Sequence, residues 1–123
     1  DAINAFTKFI ANKPSSWAAR NDKAWLQLRV GDIDGAMETI KPVAIDTTNP
    51  WVQNTYGVLL LNKKRCNESR VALNNAMKFV LTMTPANWGK AYPGNDPRVY
   101  EMGLIAMKES IEENLILLKT CTI

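Results

Sequence analysis

The sequence predicts an all-α fold made of copies of one helix hairpin piled side by side into a curved stack. Its first ground is a repeat of 33–34 residues. Ala2, Phe6, Phe9, Pro14 and Trp17 are followed 34 residues on by Ala36, Ile40, Val43, Thr48 and Trp51, and the first three of these, 33 further on, by Ser69, Leu73 and Ala76. A second set runs beside it: Ala24 and Gly57 are 33 apart, each inside an apolar pattern of helical period (Trp25 and Leu28; Tyr56, Val58 and Leu60). Finally, no stretch sustains period-two alternation with β-branched enrichment, so strands are not expected.

The first helix is predicted over 2–12, carrying Ala2, Phe6 and Phe9, with Pro14 just beyond its end. The second, over 17–30, carries Ala24, Trp25 and Leu28 and stops at the turn signal Gly31-Asp32. Gly35-Ala36 opens the third, over 33–47, and Pro50 suits the first turn of the fourth, over 50–64. The run Lys63 to Asn67 takes the place of the glycine turn before the fifth helix, over 67–83. Thr84 to Asp96 reads as a loop, and Asn95-Asp96-Pro97 as the capped start of a last, long helix over 97–119. Small residues at Ala24, Ala36, Gly57, Ser69 and Ala76 let antiparallel helices approach closely where they cross. A hairpin alone cannot bury both faces, so each copy needs its neighbours.

The order Ala24, Gly31, Ala36, Ile40, Val43, then Gly57, Ser69, Leu73, Ala76 resembles the tetratricopeptide repeat over residues 2–83, with a weaker match at 97–119. The chain departs from that pattern where Lys63-Lys64-Arg65 replaces the turn glycine and Ser69 replaces alanine. The resemblance implies an α-solenoid, a right-handed superhelix of antiparallel hairpins. In it, 1–14 is the second helix of a repeat lacking its partner, 17–49 and 50–83 are repeats, 84–96 a loop and 97–123 a terminal helix. Asn54-Thr55-Tyr56-Gly57 aligns with Tyr100-Glu101-Met102-Gly103, 46 residues on, which makes the last helix the first helix of a further repeat. With Asp1 in place of an initiator methionine, the repeat reading favours a piece of a longer chain.

Composition narrows the chemistry. The chain of 123 residues has no histidine and two cysteines, which removes Ser-His-Asp and Cys-His nucleophiles, His-containing zinc sites and four-thiolate sites. The net charge of +3 is too mild to imply nucleic acid, and no apolar run approaches a membrane span of about 20 residues. Glu109, Glu112 and Glu113 cluster on the last helix, but nothing beside them supplies a cleft or a raised pKa. No enzyme activity, cofactor or metal is therefore expected.

The resemblance further implies a concave groove lined by the first helices, taking a protein or peptide partner. Its candidate residues are Asn21, Trp25, Leu28 and Arg29, beside Ala18, in one helix, and Trp51, Asn54, Val58 and Asn62, beside Leu61, in the next. Asparagine can hold an extended backbone by donor and acceptor, and Trp and Arg dominate binding energy at interfaces. The same tryptophans also suit packing between repeats. The lysine and asparagine of the clamp that grips chaperone tails would fall at Asn21 and Trp25, so that subfamily is not matched. Trp88 and Tyr92 in the long loop suit either recognition or sealing of the stack. Lys63-Lys64-Arg65 complements a helix C-terminus. The sequon Asn67-Glu68-Ser69 places its serine at a packing position.

Cys66 and Cys121 form an even pair near neighbouring helix ends. Under the 46-residue alignment the counterpart of Cys66 is Glu112, so Cys121 overshoots by nine residues, about 13 Å of helix. A disulfide between them then requires the chain to turn back after Leu118, and would point to an extracytoplasmic, periplasmic or secreted setting rather than the cytoplasm. Two functions are expected from these readings: a peptide-binding module of a larger assembly, or a structural spacer. For the spacer, the unpaired first helix and the apolar tail Leu115-Ile116-Leu117-Leu118 mediate self-association.

Overall fold

The computed structural model describes residues 1–91 and 96–121, and over these the expected all-α class holds. Among the described residues there are α1 (Ala2–Asn12), α2 (Trp17–Arg29), α3 (Ile33–Ala44), α4 (Pro50–Asn62), α5 (Cys66–Val80), α6 (Pro85–Ala91), a 3-10 turn (Pro97–Val99) and α7 (Tyr100–Leu118), and no strand. Side-chain oxygens start four of them. Asp1, Ser16, Asp32 and Asn49 each accept the backbone N–H of the residue three further on. Pro42 brings no N–H to the last turn of α3, which ends at Ala44, and Asp46 then captures the Thr48 amide at 2.9 Å to shape the turn into α4. Gln53, buried at the start of α4, donates to the carbonyl oxygens of Ala44 and Asp46 and fixes that turn from below.

Each of the hairpins α2–α3 and α4–α5 closes on small residues. Ala24, Ala36 and Ala76 are fully buried, and Thr39 Oγ1 donates to Gln27 Oε1 between α2 and α3 at 2.7 Å. A Cβ at Gly57 would lie 2.6 Å from the buried Leu73 side chain, so only glycine admits this crossing. Ser69 uses its hydroxyl here, donating to the Gly57 carbonyl at 2.8 Å. The two hairpin turns solve the same backbone problem differently. Gly31 takes φ +86° after α2, and Lys64, 33 residues on, takes φ 62°, a left-handed conformation that costs a non-glycine residue about 1–2 kcal/mol. Its neighbours are paired: Lys63 with Asp34 across the hairpins, and Arg65 with Glu68 within α5.

The helices α2, α4 and α7 neighbour one another in that order, while α3 and α5 pack against them from the other side. Trp17 and Trp51, at the starts of α2 and α4, meet with ring centroids 5.3 Å apart, which makes those helices parallel. One core gathers Ile40, Val52, Leu59 and Leu60; a second gathers Ala76 and Val80 of α5 with Met107 and Ile111 of α7.

The structure departs from the sequence reading in the last third. Pro85–Ala91, expected as loop, is the helix α6, whose Trp88 packs at 6.0 Å from the Tyr100 ring and fills the space over Gly103. Gly103 thus admits a tryptophan, whereas Gly57 admits the partner helix of a hairpin, and aligning the two glycines set α7 in the wrong register. Asn54 faces Ser110 and Asn114, 56 and 60 residues on, instead of Tyr100. The early turns of α7 consequently project past the start of α4, and α6 covers them. The same displacement removes the overshoot at the cysteines. Cys66, the first residue of α5 rather than the end of a first helix, is bonded to Cys121 with a Cα separation of 5.8 Å, after the chain turns at Lys119-Thr120.

This bond closes a loop of 55 residues, so its removal is expected to cost about 4 kcal/mol of stability through the freedom regained by the unfolded chain. Urea unfolding of the Cys66→Ser, Cys121→Ser variant checks the loss, and a thiol titration of the denatured, unreduced protein is expected to find no free thiol.

Candidate functional site

The parallel set α2, α4 and α7 leaves a cleft of about 300 Å³ between them. From α2 it receives Asn21, Asp22 and Trp25, which the 3.6-residue period places on adjoining turns of one face. From α4 come Trp51, Asn54 and Thr55, and from α7 Ala106, Met107 and Ser110.

Polar chemistry in the cleft is uneven. Asn54 is buried and engaged: its Nδ2 donates to Ser110 Oγ at 3.2 Å, and its Oδ1 accepts from Asn114 Nδ2 at 2.8 Å. This amide pair is the contact that seats α7 on α4. Asn21 is equally buried, at 8% exposure, but its Oδ1 has no hydrogen-bond partner among the described residues. Asp22 beside it is half-buried, and the loss of water around its carboxyl pushes its pKa above the ordinary aspartate value. Trp25 keeps 39% of its surface open, although it is large and apolar. Trp51 is half-buried and packs on the second core and on Trp17.

A second cleft, of about 400 Å³, opens between α1 and α2 and is apolar, with Phe6 and Phe9 on one wall and Ala18 and Ala19 on the other. Asp22 lines both clefts.

Of the residues expected in the groove, the structure brings Asn21, Trp25, Trp51 and Asn54 together and leaves four apart. Leu28 packs against the first core, and Arg29 lines a different surface hollow with Ala2, Ile3 and Leu26. Val58 is half-buried, and Asn62 turns its amide back to the Val58 carbonyl at 2.9 Å. Trp88 sits in α6 against α7, and Tyr92 lies outside the described residues. Sequence reasoning missed Asp22, although it stands three residues before Trp25 on the same face. It also missed Ala106, Met107 and Ser110, which only the corrected register of α7 delivers to the cleft. In the sequon, Asn67 Oδ1 accepts from Arg70 and Ser69 is buried. Glu109, Glu112 and Glu113 are exposed. Among the described residues no cluster of metal-ligating side chains forms, and no helix is long and apolar enough to cross a membrane.

Compared with family models, with curated proteins and with solved structures, the chain matches none of them.

Because Asn54 and Asn114 satisfy each other in a buried setting, Asn54→Ala is expected to cost about 1–3 kcal/mol by stranding its partner. The Asn54→Ala, Asn114→Ala double variant is expected to lose less than the sum of the single losses in the same urea titration.

Proposed function

We propose that this chain is a non-catalytic, tetratricopeptide-like module of a larger protein or assembly, which holds an extended segment of a protein partner in the cleft between α2, α4 and α7. The observation that carries this reading is convergence: Asn21, Trp25, Trp51 and Asn54, singled out from equivalent positions of two repeats, line one cleft, and α7 supplies its third wall. Parallel first helices on one side and their antiparallel partners on the other support a solenoid, since that order repeats along the chain. A large tryptophan left open in a concave site is the kind of anchor that dominates binding energy at interfaces. The Cys66–Cys121 bond supports an oxidising, extracytoplasmic compartment.

Twelve-residue peptides selected on the oxidised chain from a random phage-displayed library test the proposal. Trp25→Ala is expected to weaken their binding at least tenfold, about 1.4 kcal/mol, in fluorescence anisotropy, with the urea midpoint little changed. Peptides that bind this variant as tightly as the parent chain would place recognition elsewhere.

A second reading, a structural spacer or oligomerisation segment, is favoured by one observation. Met102, Ile105 and Ile116 of α7 are 69%, 49% and 62% exposed, and they share the side of the helix turned away from its buried stripe of Met107, Ile111, Asn114 and Leu118. If that face joins copies of the chain, sedimentation equilibrium is expected to show a concentration-dependent dimer that Ile105→Lys dissolves. A monomer at all concentrations leaves the cleft as the working surface.

A further inference from the structure

The cleft carries a chemical bias beyond its shape, and the inference drawn from it rests on the reading of the cleft as a partner-binding surface. Its one polar atom buried without a partner among the described residues is an acceptor, Asn21 Oδ1. The adjacent residue, Asp22, brings a half-buried carboxylate that enters no ion pair among the described residues. Trp25 stands four residues from Asn21 and three from Asp22, so the three side chains are neighbours on the helix surface, about 5–6 Å apart at their Cβ atoms. Across the cleft, the Asn54 amide is already spent on Ser110 and Asn114. On α7, Glu109 and Glu113 stand one turn beyond Ala106 and Ser110, exposed and likewise without an ion pair among the described residues. The nearest cation on this face of α2, Arg29, is seven residues from Asp22, about 10 Å along the helix, and lines a different hollow.

A guest carrying a carboxylate would meet Asp22 and the α7 glutamates with no compensating charge. A neutral apolar guest would leave the Asn21 oxygen unsatisfied and bury the Asp22 carboxylate further. A guanidinium answers all three demands. It carries five donors and no acceptor, it keeps its charge, and its flat face stacks on indole. A lysine ammonium supplies the charge but not the flat face or the spread of donors.

We propose that the cleft recognises an arginine side chain of the partner segment, stacked on Trp25 and hydrogen-bonded to the Asp22 carboxylate and Asn21 Oδ1. Asp22 lines the apolar cleft between α1 and α2 as well, which leaves Phe6 and Phe9 to receive an apolar residue next to that arginine.

The test uses the peptides selected on the oxidised full chain. They are expected to share an arginine. Its replacement by citrulline, which has the same shape without the charge, is expected to weaken binding at least tenfold, and replacement by lysine three- to tenfold. Asp22→Asn is expected to weaken the arginine peptide tenfold and to shrink the citrulline effect to under threefold, with far-UV circular dichroism and the urea midpoint unchanged. Selected peptides without a basic residue that still depend on Trp25 would overturn the arginine assignment and leave the cleft as the binding surface. An undiminished citrulline effect in Asp22→Asn would overturn it as well. Peptides indifferent to Trp25→Ala, or a library that yields no binder, would overturn the cleft itself and the assignment with it.

Discussion

At two heights α7 is fastened to the rest of the chain: at its middle by the amide pair Asn54–Asn114, with Ser110 beside it, and past its end by the bond between Cys66 and Cys121. Between these points Met107 and Ile111 press into the core formed with Ala76 and Val80. Buried amides tolerate no sliding, because a shift of one turn would leave donors and acceptors unpaired away from water. The cleft exists because of this seating. Its walls on α2 and α4 are set by the hairpin repeat, but the third wall is α7, and every residue it contributes depends on where that helix stops along α4.

The two hairpins show how one geometry is met by different residues. Between α2 and α3 the close approach uses Ala24 and Ala36, with a Gln27–Thr39 hydrogen bond one turn away. Between α4 and α5 it uses Gly57 under Leu73, with Ser69 bonded to the glycine carbonyl. The second arrangement brings the backbones closer and gains a hydroxyl–carbonyl bond in a dry setting. The turn preceding it is less favourable, since Lys64 adopts a conformation that Gly31 takes freely in the first hairpin.

Inside the cleft, asparagines at equivalent positions of α2 and α4 have opposite fates. Asn54 spends its amide on α7 and is part of the scaffold, while Asn21 keeps a buried oxygen without a partner. A folded chain seldom leaves such an atom unpaired, and it lies beside the only carboxylate that reaches both clefts. The asymmetry arises because α4 has a following first helix against it, whereas the same flank of α2 turns toward the open cleft.

What the amino-acid order determined by itself was local and periodic. The all-α class, six of the helices, the small residues at the crossings and the tryptophan and asparagine pairs all follow from spacings of three, four and 33–34 residues, and each appears in the folded chain. Left to the tertiary structure were the helix hidden in Pro85–Ala91, the position of α7 along α4, and so the disulfide and one wall of the cleft. The reason lies in how each kind of information is stored. A helix writes its buried face into its own residues, one turn after another. The sliding of one helix along another is decided by the sum of fits between surfaces distant in the chain. A glycine at position 103 looks the same in the sequence whether a hairpin partner or the ring of Trp88 comes to rest on it.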